Sequence, residues 1–375
     1  MYMKEIVIIT KLLPQYRGEF FSLLKDELLK NDIVLEVIYG KDKNIKALKN
    51  DEVELEWAKY IPNKTFKFFN AELIWQPCLM EIKDKDLVIV ENANKLLLNY
   101  YLIFARKFSK YKLAYWGHGR NLQENVNSWQ NKFKYLFLNK CDWWFGYTNG
   151  TKIFLVKRNF PVNKITVVQN AINTLSIKKY YSEFKKNEIN ELRKELGINS
   201  NTIAIFCGAM YPGKDLDFIL ETCYRVKQEI PDFHMIFIGS GIEAIKVINA
   251  SKLNNWIHYV GSKFEKERVK YFKIAQIRLM PYYLGLGLLD SFALETPIIT
   301  TSNPFHGPEI EYLVNGENGF ITNNNMDDYV SKVVEVLKTK SYVDLIEGCR
   351  LMAKKITLEE MVGNFKDGVL SCLIS

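Results

Sequence analysis

Several signatures are missing from this 375-residue chain, and each absence removes a class of chemistry. Its six cysteines (Cys78, Cys141, Cys207, Cys223, Cys349, Cys372) are scattered, with no C-x-x-C pair. That argues against a zinc site or a disulfide framework and fits a reducing, cytoplasmic setting. Met1 leads directly into the strand-like Ile6-Val-Ile-Ile-Thr10, so no N-terminal signal is expected. The longest nearly apolar run, Leu96 to Ala105, contains Asn99 and is too short to span a bilayer. No G-x-S-x-G elbow or Ser-His-Asp order is present, which disfavours a nucleophilic hydrolase. No G-x-G-x-x-G follows the first strand, which leaves nicotinamide chemistry without support. Two D-x-D pairs occur, Asp84-Lys-Asp86 and Asp215-Leu-Asp217, but neither directly follows a strand as a metal–nucleotide pair should. They read as solvated or capping acids, and no metal is expected. There is no internal repeat and no low-complexity segment.

What is present is a globular composition, 48% apolar and 25% charged, in a chain long enough for two domains. The net charge of +8 is unevenly spread. Residues 1–100 carry 15 Lys+Arg against 16 Asp+Glu, residues 101–170 carry 12 against 2, and residues 171–375 carry 24 against 25. All the excess positive charge therefore lies in one stretch that also holds Trp116, Trp129, Trp143 and Trp144. A basic, aromatic surface suits an anionic membrane face. It also suits nucleic acid, and the same pattern fits a solvated helix face over an aromatic core.

Along the chain, short apolar runs alternate with helical segments. In the first half the strands are Glu5–Thr10, Asp32–Tyr39, Asp86–Glu91, Lys112–Trp116, Asp142–Tyr147 and Ile165–Gln169, with loosely alternating extra strands over Val53–Ile61 and Phe66–Trp75. Residues 126–140 read as a helix with Trp129, Phe133 and Leu136 on one face and lysines outside it. The apolar pattern lapses over Asn173–Ser182. A second alternation follows a polar helix, with strands Ile203–Cys207, His234–Ile238, Ile257–Val260, Ile277–Met280 and Ile298–Thr301, and three helices close the chain. Two βαβα runs imply an α/β protein of two doubly wound, Rossmann-like domains, residues 1–172 and 173–356, with residues 357–375 packing back on the first. Ligands of such sheets bind beyond the carboxyl ends of the strands, so a site in a central cleft between the domains is expected.

The most informative stretch is Ile277–Phe320. It reads as a buried strand, Pro281, a turn at Gly285-Leu-Gly287, an amphipathic helix with Asp290, a second strand, and a loop with His306-Gly-Pro-Glu309. The start of such a helix suits an anion, typically phosphate. Asp290 is placed to accept hydrogen bonds from sugar hydroxyls attached to that phosphate. Phe206-Cys-Gly208 leads to Lys214, a lysine at a strand-to-helix turn that can reach a phosphate or stand as an ordinary surface lysine. Gly239-Ser-Gly241 is another close-approach turn. His118, between two glycines at a strand end, suits ligand contact or structure alike, as does His306; His234 and His258 lie within strands and read as structural.

Taken together these pieces resemble a bacterial glycosyltransferase of the GT-B fold and family 4 type, in a subgroup that builds surface polysaccharides. The carriers are Val167-Val-Gln-Asn170-Ala, Phe206-Cys-Gly208 with Lys214, Ile236-Phe-Ile-Gly239-Ser-Gly241 and Tyr259-Val-Gly261. They continue through Pro281-Tyr-Tyr-Leu-Gly285-Leu-Gly-Leu-Leu-Asp290-Ser-Phe-Ala, Thr296-Pro297, Pro308-Glu309 and Asn318-Gly319. Tyr16-Arg-Gly-Glu-Phe-Phe21 and Trp116-Gly-His118-Gly are the first-domain carriers. The resemblance implies that Lys214 binds the donor diphosphate and that the Leu284-Gly285-Leu286 turn offers it backbone N–H groups. By the same resemblance Gly208, Gly239, Gly241 and Glu309 belong to the donor site. Asp290 would hold the nucleotide ribose, and His118 would contact the transferred sugar. Two departures stand out: Tyr282 replaces the first acid of the family's E-x7-E pair, and Ala209 replaces an arginine.

The expected activity is retaining, metal-independent transfer of a sugar from a nucleoside diphosphate sugar to a hydroxyl acceptor, with no cofactor beyond the donor. The acceptor is expected to be a lipid-linked or polysaccharide precursor, met at the inner face of the membrane through residues 101–170, with no nucleic acid involved. Two other readings remain open at this point: a non-catalytic subunit of this fold that activates a partner transferase, and a nucleotide-sugar 2-epimerase.

Overall fold

The computed structural model describes residues 3–41, 53–68, 71–120 and 129–375, which fall into two compact units. Unit 1 comprises Met1–Ile172 together with Leu358–Ser375, and unit 2 comprises Asn173–Thr357. Strands are numbered in chain order. Unit 1 holds β1 (Lys4–Thr10), β2 (Ile33–Tyr39), β3 (Lys59–Tyr60), β4 (Lys64–Phe68), β5 (Ala71–Trp75), β6 (Leu87–Glu91), β7 (Lys112–Gly117), β8 (Trp143–Gly146) and β9 (Ile165–Val167). Unit 2 holds β10 (Ile203–Cys207), β11 (His234–Ile238), β12 (Ile257–Tyr259), β13 (Ile277–Leu279), β14 (Ile298–Thr301) and β15 (Gly319–Thr322).

Unit 1 is built on a parallel sheet of order β3-β2-β1-β6-β7-β8-β9, with β4 and β5 forming a separate antiparallel pair. Both faces of the sheet are covered, which is why β1, β6 and β7 are apolar runs rather than alternating ones. On one face Val7, Val88, Val90, Leu98, Leu102 and Trp144 form the core. On the other, the helices Gln15–Leu29 and Leu358–Ile374 pack together, with Phe365 stacked on Phe145 at 4.3 Å. Gly368 permits that approach, because a Cβ there would lie 2.5 Å from Thr166 Oγ1.

Unit 2 is a six-stranded parallel sheet of order β12-β11-β10-β13-β14-β15. In both units the order reverses beside the first strand, at β1/β6 and at β10/β13, and the loops leaving those strands diverge to opposite faces. The two doubly wound units agree with the expected α/β class.

Several local expectations need correction. Val53–Ile61 contributes only the two-residue β3, and the second extra strand is a hairpin, Lys64–Phe68 paired with Ala71–Trp75. The segment after Asn173 is helical, Leu175–Glu183 and then Lys186–Glu195, because its buried Ile177 and Leu192 are enough to dock two polar helices. β15 was not expected; four residues flanked by asparagines and glycines carry little periodic signal, and pairing with β14 supplies the rest. Within residues 126–140 the described helix is Trp129–Tyr135, and the side chain of Trp129 lies outside the described residues. Asn131 and Lys134 are buried, whereas Phe133 and Leu136 are exposed; residues 126–128 lie outside the described residues.

Candidate functional site

In unit 2 the expected donor residues converge at the carboxyl ends of β10, β11 and β13, the switch point of the sheet. Gly208 N–H donates to Ile238 O, and Met210 N–H to Ser240 O, zipping the loop after β10 to the loop after β11. This gives Gly239 and Gly241 a structural reason to be glycine. A Cβ on Gly239 would lie 1.9 Å from Gly208 O, and one on Gly241 would lie 2.2 Å from Met210 O. The Cβ direction of both residues is occupied by neighbouring backbone.

Lys214 ends a 3-10 turn, Pro212–Lys214, and is buried. Its Nζ donates to Tyr283 O at 2.5 Å and lies 4.8 Å from the Tyr283 ring centre, so the first loop is fastened to the turn after β13. Asp215, next in the chain, takes a left-handed conformation (φ 47°) and caps the following helix, its carboxylate accepting from Phe218 N–H at 3.1 Å. Half of the second D-x-D pair is thereby a cap.

The turn at 284–286 is held from the far side by His306. Leu284 N–H donates to His306 Nδ1 at 3.1 Å, and His306 Nε2 lies 2.8 Å from Thr301 O, to which it donates. Burial lowers the His306 pKa, so the ring stays neutral with its proton on Nε2. His306 is therefore a strut, with both ring nitrogens committed. Leu284 N–H, expected to face a phosphate, is committed too. The amides of Gly285, Leu286 and Gly287 make no hydrogen bond among the described residues, so three consecutive donors are open at this turn. The buried Glu309 packs beneath it; a Cβ on Gly285 would lie 3.8 Å from Glu309 Oε2, and one on Gly307 only 2.6 Å.

The helix carrying Asp290, Gly287–Ala293, is seven residues long and buried on nearly every side rather than amphipathic. Two turns contribute little macrodipole, so affinity for an anion here depends on the open amides and on cationic side chains. Asp290 Oδ2 accepts from Arg268 Nη1 at 2.9 Å, a partner that no sequence motif announces. One of its oxygens is thus already used. Tyr282, at the place of the absent acid, packs edge-on to Phe218 at 5.7 Å.

In unit 1, His118 follows β7 between Gly117 and Gly119, whose φ angles are +148° and +73°. Its ring lies 5.8 Å from that of Tyr147, and its Nδ1 is buried without a hydrogen-bond partner, as is Asn92 Oδ1 at the end of β6. Burial, then the charges of Lys134 and Arg120, push the His118 pKa down to about 3. His118 belongs to a different unit from Lys214 and the other expected site residues. His234 and His258 contact each other, Nδ1 to Nε2, at 3.0 Å. Among the described residues no His/Cys/Asp/Glu cluster has the makings of a metal site, and no helix is long and apolar enough to cross a membrane.

With this geometry in view, comparison with known proteins is informative. Residues 201–339 match the family described as glycosyl transferases group 1. The spore coat protein SA of Bacillus subtilis is 25% identical over 169 residues, 40% of this chain and 43% of that protein, so the match spans less than half of the relative's length. Among solved structures, Anabaena HepE in complex with UDP superposes with a TM-score of 0.69 at 13% identity, covering 98% of this chain and all of that one. A glycosyltransferase from Rickettsia africae gives 0.69 at 16%, covering 99% of each. The lipopolysaccharide outer core galactosyltransferase WaaB gives 0.66 at 16%, covering 98% and 99%. The chain has the GT-B fold, two Rossmann-like units, and its second unit carries the glycosyltransferase group 1 match.

Proposed function

We propose that this chain is a retaining glycosyltransferase of the family 4 type, moving a sugar from a nucleoside diphosphate sugar to a hydroxyl acceptor without a metal. The observation that carries the reading is the turn at Gly285–Gly287, with three open amides at the switch point and Lys214 fastened to its base. The match over residues 201–339, and the UDP held by HepE, a neighbour of the same fold, support it further.

In this reading the diphosphate lies against the open amides, with Lys214 beside it. As the bond from the anomeric carbon to the phosphate oxygen lengthens, negative charge grows on the diphosphate, and fixed N–H groups and the ammonium stabilise it without reorganising. Asp290 uses its remaining oxygen to hold the ribose. Glu309 fixes the backbone of the turn. His118 contacts the transferred sugar as a neutral ring; with a pKa of about 3 it serves as a hydrogen-bond partner and not as a proton donor at pH 7. The acceptor oxygen bonds to the anomeric carbon on the face that the phosphate leaves, so the sugar keeps its anomeric configuration. The departing phosphate oxygen takes the acceptor's proton, so no enzymic base is needed.

Residues 1–172 would bind the acceptor, a lipid-linked or polysaccharide precursor at the inner face of the cell membrane. Support comes from a patch of exposed Tyr101, Phe104 and Phe108 beside the exposed Lys107 and Lys110, with Phe133 on the helix Trp129–Tyr135 and Leu136 just after it also exposed. An apolar, cationic surface fits an anionic bilayer.

A thermal-shift panel of nucleoside diphosphates and their sugars tests the reading first. A ligand at a hundred times its dissociation constant should add about 2.7 kcal/mol, and no shift with any of them would sink it. Sedimentation with vesicles of phosphatidylglycerol tests the membrane part, which fails if the protein stays in the supernatant.

A further inference from the structure

β13 carries an arginine where a buried central strand calls for an apolar residue. Arg278 is 4% exposed, and its guanidinium reaches in two directions. Nη2 donates to Cys207 O at 2.6 Å, the last residue of β10 and the entry to the Gly208 loop. Nη1 donates to Gly287 O at 2.5 Å and to Ser291 Oγ at 2.9 Å, on the far side of the Gly285–Gly287 turn. A Cβ on Gly287 would lie 3.4 Å from Nη2, so the turn rests directly on the guanidinium. All three acceptors are neutral. Arg278 makes no ion pair among the described residues, its Nε has no hydrogen-bond partner, and the nearby Asp290 is paired with Arg268.

A buried cation without a carboxylate is costly, and an apolar residue of similar volume would usually serve stability as well or better. A planar fork can tie two loops in fixed register, which neither a lysine nor an apolar side chain can do. We infer that Arg278 is a positioning residue for the donor site. It holds the Gly208 loop and the Gly285–Gly287 turn at one spacing, and its unmatched charge beneath them is complemented by a bound diphosphate. This inference rests on the nucleoside diphosphate reading above, and it adds the residue that gives the site its selectivity for the diphosphate over the rest of the nucleotide.

The test measures the affinity of the intact chain for UDP, GDP and ADP by calorimetry, and for uridine, guanosine and adenosine by ligand-observed NMR. Wild type binding none of the diphosphates overturns the donor reading and this inference with it. For a diphosphate that binds, Arg278→Met should weaken it at least tenfold while changing affinity for its nucleoside less than twofold. Equal losses for both mean that Arg278 is scaffolding only, and no loss means that it does nothing for the site; either overturns the inference alone. Arg278→Lys keeps the charge but not the fork and should stay within threefold of the methionine variant, whereas full recovery overturns the bridging role. Should Arg278→Met not fold, Ser291→Ala decides. Removal of one acceptor should weaken the diphosphate about threefold and spare the nucleoside, and unchanged diphosphate affinity overturns the inference.

Discussion

The two units share a topology and differ in the charge placed at its switch point. In unit 1 the side chain between the first and fourth strands is Glu91. Its carboxylate accepts from Thr10 Oγ1 at 2.7 Å and from Lys11 N–H at 3.1 Å, so it occupies and closes the loop after β1. In unit 2 the fourth strand carries Arg278, two residues further back from the carboxyl edge, which donates to Cys207 O and Gly287 O beside a turn whose three amides make no hydrogen bond among the described residues. Parallel doubly wound sheets bring loops together at the same place regardless of function. On the proposed reading the sign of this side chain bears on what can enter: the half-buried Glu91 carboxylate would repel a phosphate in unit 1, and the buried Arg278 guanidinium beside open amides would favour one in unit 2.

The sharpest way to break this contrast is to remove the cation expected to touch the donor. Lys214→Ala should lower kcat/KM for the sugar donor at least about 100-fold, the scale of losing one oxyanion donor, measured as nucleoside diphosphate release. Glu91→Gln should leave that constant within about threefold, because in this picture a group that closes its own loop gives the transition state no differential stabilisation. A comparable fall in both variants would dissolve the distinction.

Stability provides the next test. Gly239→Ala forces a Cβ into the Gly208 carbonyl and should cost about 2–3 kcal/mol in urea denaturation, the range for overpacking. Gly117→Ala meets only Asn92 atoms at 3.9 Å or beyond, so it should cost less, the strain of its φ of +148° alone. Glu91→Gln should cost about 1–2 kcal/mol, the loss of two charged hydrogen bonds offset by the amide that replaces them.

The smallest effect is a pH slope. Burial lowers the pKa of His118 to about 3 and that of His258 to about 4, so the folded chain holds both rings neutral where the unfolded chain takes up protons. Stability from these groups is complete above an ordinary histidine pKa of about 6.5 and is lost as pH falls from there toward 4. His258→Asn should flatten the urea midpoint between pH 6.5 and 4, and an unchanged slope would show that His258 does not contribute to it.

The amount legible before folding differed between the units in the same way. In unit 2 nearly every expected residue reached one sheet edge, because short apolar runs punctuated by glycine set both the strands and the turns between them. What the sequence did not show was availability. Leu284 N–H is taken by His306, the Cβ directions of Gly239 and Gly241 are occupied by backbone, and Asp290 has an arginine partner. In unit 1 Phe133 is exposed and Lys134 buried on the helix Trp129–Tyr135, since a periodicity shows which residues share a face and not which face meets the core.

By itself, then, the chain's order of apolar runs, prolines and glycines determined two doubly wound units and the turns at their carboxyl edges, because those depend on local conformation and on period. It also carried the uneven charge of residues 101–170. Only the tertiary structure decided that an arginine on β13 ties Gly287 to Cys207, which lies 71 residues before that arginine in the chain, that Glu91 closes the loop after β1, and which amides remain open. Such facts follow from which strands lie side by side and from how buried polar groups must find partners. Neither condition is written in any short stretch of sequence.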